Sequence, residues 1–85
     1  MLEIDCRGLV CPAPIIELAR HIPLVAPGGL LAVVATDAAA RADVPAWCRM
    51  TGHEYVGEEV ADDGAARYVV RKSKPAVTRR GRRSP

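Results

Sequence analysis

Arg7-Gly8-Leu9-Val10-Cys11-Pro12-Ala13-Pro14 lies between two kinds of hydrophobic periodicity, and the change from one to the other decides the fold. Before it, Leu2, Ile4 and Cys6 alternate with Glu3, Asp5 and Arg7, the period of a strand with one buried face, so Cys6 is expected to point inward. After it, Ile15, Leu18, Ala19 and Ile22 recur at helical spacing with Glu17, Arg20 and His21 on the opposite side, which predicts an amphipathic helix from about Pro12 to Ile22. Gly8 suits the tight turn between them, because only glycine takes a positive φ without steric cost. Proline is favoured at the first helical position, where its missing N–H would be unbonded anyway, so Pro12 is expected to make Cys11 the helix N-cap. A sulfur placed there meets the positive end of the helix dipole, which lowers a thiol pKa and favours the nucleophilic thiolate. Pro14 removes a second first-turn donor and leaves the Ala13 N–H as the main one on offer to an anionic sulfur.

Downstream, Pro23 should end or distort the first helix ahead of the Pro27-Gly28-Gly29 turn. Leu30-Leu31-Ala32-Val33-Val34-Ala35 is apolar on both faces, as in a central strand, and is expected to pair in parallel with the first strand through a right-handed crossover. Val44, Trp47, Cys48 and Thr51 share a helical face, with Asp43 or Val44 as cap, Pro45 in the first turn and Gly52 as the stop. Residues 53–60 read as a weakly patterned strand that Gly57 bulges, Asp62-Asp63-Gly64 has hairpin-turn chemistry, and Arg67 to Lys72 returns as the last strand. The expected fold is α/β, a two-layer sandwich of order βαβαββ with a four-stranded mixed sheet and both helices on one face.

Charge divides the chain unevenly. Residues 1–70 carry five arginines against ten acidic side chains, a net of −5, whereas residues 71–85 carry seven Arg and Lys and no acid. One domain is expected over residues 1–72, followed by a basic tail at 73–85 with little to bury and hence disordered. No apolar run approaches the ~20 residues of a membrane span and no basic-then-apolar leader opens the chain, so a cytoplasmic location with no membrane contact is expected. Three cysteines without a C-x-x-C argue against a disulfide scaffold or a cysteine-rich zinc site. His21 and His53 have no ligand-type neighbours at compact spacing and are expected to be solvated, and neither metal nor cofactor is predicted.

The run Asp5-Cys6-Arg7-Gly8-Leu9-Val10-Cys11-Pro12-Ala13-Pro14 resembles the D-x-R-G-L-x-C-P-x-P signature of the TusA-like (SirA-like) sulfur-carrier family. The resemblance continues through Pro27-Gly28, Asp37, Asp43-Val44-Pro45, Trp47-Cys48 and Arg67 to Lys72, and so covers residues 2–72; Pro23 departs from the pattern. It implies a small domain of the same two-layer fold whose cysteine accepts sulfane sulfur as a persulfide and hands it on, a sulfurtransferase-type carrier rather than a hydrolase. On this basis Cys11 is the catalytic candidate, with Arg7, Gly8, Pro12, Ala13 and Pro14 as the motif that supports the persulfide. The implied partners are a sulfur donor, such as a cysteine desulfurase or rhodanese, and an acceptor protein in transfer-RNA thiolation, molybdenum-cofactor sulfuration or sulfur oxidation.

Simpler roles stand beside these. A lone cysteine is more commonly a buried structural residue, but Cys11 lies outside any periodic apolar face. Cys6 is foremost a core residue, with a resolving-thiol role as its alternative through the C-x4-C spacing, and Cys48 reads as core. Arg7 could pair with Asp5 or Glu3, or instead attract an anionic partner and steady a persulfide. Asp37 and Asp43 are most simply caps of the turns and helix that come after them, with the resemblance hinting that their edge borders the site. Two other functions remain open: a thiol redox protein using Cys6 and Cys11, and a regulatory or nucleic-acid-binding module that contacts RNA through the basic tail.

Overall fold

The computed structural model describes residues 1–73. The chain runs β1 (Leu2–Cys6), α1 (Ala13–His21), a 3-10 turn (Ile22–Leu24), β2 (Leu30–Ala35), α2 (Ala40–Thr51), β3 (Glu54–Val60) and β4 (Ala66–Arg71). The four strands form one sheet in the order β1-β2-β4-β3, with β1 parallel to β2 and the other pairs antiparallel. This is the expected α/β architecture. Of the predicted basic tail, residues 73–85, all but Ser73 lie outside the described residues.

The register follows the sequence pattern. Ile4 opposes Val33 and Leu31 opposes Val70, and these side chains share the face that both helices cover. Leu18 and Ile22 of α1 and Val44, Trp47 and Cys48 of α2 complete one core with Cys6 and Tyr68 of the sheet. Fully burying a side chain such as Leu18 contributes about 1.5–3 kcal/mol, so this face is the main source of stability. β2 is buried on both sides because the uncovered face is closed differently. There Arg67 of β4 reaches across β2 to Glu3 of β1, Nε to Oε1 3.0 Å at an angle that makes an ion pair rather than a hydrogen bond, and also faces Glu59 of β3 at 3.5 Å. The aliphatic stem of such an arginine shields apolar surface while its head stays charged, consistent with buried Ala32 and Val34 beneath it.

Three local expectations need correction. α1 begins at Ala13 with Pro12 as its cap, so Cys11 stands one residue outside the helix rather than at the N-cap; the Cys11–Pro12 peptide is cis. α2 begins at Ala40, several residues before Asp43, and Pro45 lies inside it. The run Ala38-Ala39-Ala40-Arg41-Ala42 has the highest helix propensity in the chain, and its i to i+3 bonds, such as Ala40 N–H to the Asp37 carbonyl, carry the helix to the point where the proline ring is tolerated. Ala19, expected on the buried face of α1, is exposed, whereas Pro14 is buried and so packs against the core as well as removing a donor. Elsewhere the signals hold: Pro23 sits in the 3-10 turn that ends α1, Gly52 closes α2 in the left-handed conformation at φ 85°, and the β3–β4 register shifts between Tyr55 and Gly57.

Candidate functional site

Cys11 is exposed, and a loop tied down at several points holds it at the C-terminal edge of the parallel pair β1–β2. The Leu9 N–H bonds the Cys6 carbonyl at 3.1 Å, and Gly8, at φ 80°, turns its own N–H onto Thr36 Oγ1 at 3.0 Å. A Cβ at Gly8 would meet no atom within 4 Å, so the glycine answers a backbone need and not a packing one. The Cys11 N–H then donates to Asp37 Oδ2 at 2.7 Å, while Asp37 Oδ1 accepts the Ala39 N–H at 3.2 Å. These two backbone bonds hold the Asp37 carboxyl below the usual aspartate range. One carboxylate thus ties the cysteine loop to the start of α2.

A second carboxylate meets the sulfur itself. The Cys11 thiol donates to Asp43 Oδ2 at 3.1 Å, across 32 residues of sequence. That hydrogen bond, then desolvation, then the charges of Asp43 and Asp37 push the Cys11 thiol above its ordinary value. The expectation of a depressed pKa is therefore reversed, for three physical reasons. Cys11 lies before the cap; the Ala13 N–H is taken by the Val10 carbonyl at 2.8 Å; and two carboxylates outweigh what remains of the dipole.

Beside the sulfur runs an open groove of about 280 Å³ between α1 and α2, lined by Cys11, Pro12 and Ile15 on one side and Asp43, Ala46, Trp47 and Met50 on the other. Its lining is mainly apolar, and the side chain of Met50 within it is exposed.

The motif residues separate by role. Gly8 shapes the loop, Pro12 lines the groove, Pro14 packs inward, and Ala13 opens α1. The Arg7 guanidinium is committed elsewhere: Nη1 to Asp5 at 3.1 Å and Nε to Asp63 of the β3–β4 turn at 2.8 Å, so among the described residues none of its ion pairs reaches Cys11. Cys6 is wholly buried, its thiol pushed up by burial and then by Glu17 and Asp5, and burial pushes Cys48 up to about 11. The two histidines are not simply solvated: His21 Nδ1–H donates to the Glu17 carbonyl at 2.7 Å, and half-buried His53 stacks on Trp47, ring centroids 5.3 Å apart. Gly52 reverses the chain and lays His53 back over the end of α2. Among the described residues no three His, Cys, Asp or Glu side chains are gathered as a metal-binding set, and no helix is long and apolar enough to cross a membrane.

Asp43 is the residue at the Cys11 sulfur that sequence reasoning undervalues. With α2 beginning at Ala40, Asp43, Ala46, Trp47 and Met50 fall at i, i+3, i+4 and i+7 and form one stripe along the groove. That spacing is present in the sequence, but it is visible only once the helix is started early enough.

Comparison with known proteins identifies a family and a matching fold. The family model described as Sulfurtransferase TusA matches residues 2–72. The protein named Sulfur carrier protein TusA of Pseudomonas syringae pv. syringae is 43% identical over 70 residues, covering 82% of this chain and 82% of its own. The protein of the same name from Pseudomonas aeruginosa is 44% identical over 69 residues, covering 81% of this chain and 86% of its own. In fold, the crystal structure of a SirA-like protein from Desulfitobacterium hafniense superposes with a TM-score of 0.73 at 20% identity, covering 87% of this chain and 100% of that one.

Proposed function

The chain belongs to the TusA family of sulfurtransferases, and on that premise we propose that it works as a sulfur carrier whose sulfur rides on Cys11 as a persulfide. The observation that supports Cys11 above the other thiols is access: its sulfur is exposed at the head of a groove, whereas Cys6 and Cys48 are buried. Transfer needs a sulfur that a partner's cysteine can approach in line, and only an exposed thiol on a pinned loop meets that requirement. A carrier also needs no hydrolytic machinery, since the attacking and leaving groups are both sulfur.

In this proposal Gly8, Pro12, Ala13 and Pro14 hold the loop and the mouth of the groove, and Arg7 acts on the site indirectly by bracing β1 against the β3–β4 turn. Cys6 remains a core residue. The donor is a protein persulfide, as on a cysteine desulfurase or a rhodanese, and the acceptor is a protein of transfer-RNA thiolation, molybdenum-cofactor sulfuration or sulfur oxidation, in the reducing cytoplasm where free thiols persist. Residues 1–72 suffice for the chemistry, with the basic segment from residue 73 serving as a contact for RNA or an acidic partner. The test is intact-mass spectrometry after incubation with a cysteine desulfurase and cysteine. The wild-type chain should gain the mass of one reducible sulfur, and Cys11→Ser should gain none while staying folded. Sulfur retained on Cys11→Ser would refute the assignment.

A further inference from the structure

We propose that Asp43 is a positioning residue that biases Cys11 toward its unloaded state, so that the carrier gives sulfur up rather than keeping it. The inference rests on Cys11 being the sulfur-bearing residue.

The empty site is built around a neutral sulfur. Cys11 Sγ has a proton to donate, and Asp43 Oδ2 accepts it at 3.1 Å. The other carboxylate at this residue is Asp37, which accepts the Cys11 backbone N–H from the connection that leads into α2, and among the described residues no cation pairs with either carboxylate. α1 offers no free donor in compensation, because the Ala13 N–H is bonded to the Val10 carbonyl. The remaining wall, Pro12, Ile15, Ala46, Trp47 and Met50, cannot solvate an anion.

Loading reverses the charge requirement. A persulfide is more acidic than a thiol, and its added sulfur lies about 2 Å beyond Sγ. A perthiolate on Cys11 therefore sits beside the Asp43 carboxylate at the head of an apolar groove, and among the described residues no cation pairs with that carboxylate to offset the repulsion. Delivery relieves this. The acceptor thiol R–SH gives its proton to the perthiolate, and the resulting thiolate attacks the outer sulfur of Cys11–S–SH. A new S–S bond forms, the Cys11 S–S bond breaks, and Cys11 leaves as thiolate with the bonding electron pair. It takes the proton from the new, more acidic R–S–SH and returns to Asp43 as an S–H donor. The products are Cys11–SH and R–S–S⁻, so the negative charge leaves with the acceptor; electrons move in pairs, and no external oxidant or reductant is consumed. Asp43 thus stabilises the product state of delivery and opposes the loaded state, an effect on equilibrium that a purely structural carboxylate would not have.

The experiment equilibrates the full chain with a fixed mixture of glutathione and glutathione persulfide and reads the loaded fraction by intact mass, for wild type, Asp43→Asn and Asp43→Ala. In parallel, iodoacetamide alkylation of Cys11, mapped by peptide mass, is followed across pH. Both variants should hold several-fold more sulfur at the same ratio, and their alkylation profiles should move to lower pH. An unchanged or smaller loaded fraction in both variants overturns the proposal. Sulfur uptake by Cys11→Ser in the same mixture would instead overturn the carrier assignment beneath it, so the two failures are distinguishable.

Discussion

Replacing Cys6 by alanine separates a core thiol from a second redox-active one. Cys6 is wholly buried at the end of β1, opposite Ala35, and its sulfur has no hydrogen-bond partner among the described residues. Alanine removes one sulfur atom from a close-packed site, comparable to a small buried deletion, and should cost about 1 kcal/mol. In a domain of this size that lowers the melting temperature by roughly 4–8 °C. Since small domains have about 5–15 kcal/mol of net stability, the variant stays folded. Serine should be worse than alanine, because it buries a hydroxyl where nothing receives it, at a cost of about 1–3 kcal/mol. Urea unfolding followed by Trp47 fluorescence should therefore order the three as wild type, then alanine, then serine. Sulfur loading by a cysteine desulfurase, measured on the same samples, should match wild type in both variants wherever the fold is intact. Loss of loading by Cys6→Ala at undiminished stability would refute the core assignment and make Cys6 a resolving thiol.

Leu18→Ala, which empties a fully buried position beneath α1, should cost about 2–5 kcal/mol, and a midpoint shift below the range of surface substitutions would show that the helix is not docked as described. Gly52→Ala forces a side chain onto a φ of 85° and should cost about 1–2 kcal/mol with sulfur loading unchanged; a neutral result in urea unfolding would contradict the left-handed cap. His53 accepts the Ser73 N–H at Nδ1, and burial, then nearby Lys72, hold its imidazole below the ordinary value. The unfolded chain takes up that proton first, so the contribution is complete above about pH 6.5 and is lost as pH falls through the depressed folded value. Urea midpoints measured from pH 7.5 to 5 should decline in wild type and flatten in His53→Leu, and parallel declines would assign the effect to other groups. The carboxylates of Asp37 and Asp63, also held low, act in a separate window, with their contribution present above about pH 3.9 and lost below it.

Sequence alone determined the parts of this protein that local physics dictates. The alternation of Leu2, Ile4 and Cys6, the doubly apolar run Leu30–Ala35, the stop at Gly52 and the bulge at Gly57 each carry a signal shorter than a dozen residues, and each element formed where that signal stood. Cys11 stands out in the same way, by its place between a strand end and two prolines. Two decisions belonged to tertiary structure. The start of α2 was a contest between the alanines at 38–40 and Pro45, and its outcome placed Asp43 inside a helix packed beside α1. The electrostatic character of Cys11 depended in turn on that placement, because the carboxylate at its sulfur comes from 32 residues away, while the helix amide expected to favour the thiolate is bonded to its own turn. A helix dipole can be read from neighbours in sequence; a charge brought in by folding cannot, and at 3.1 Å from the sulfur the folded charge prevails.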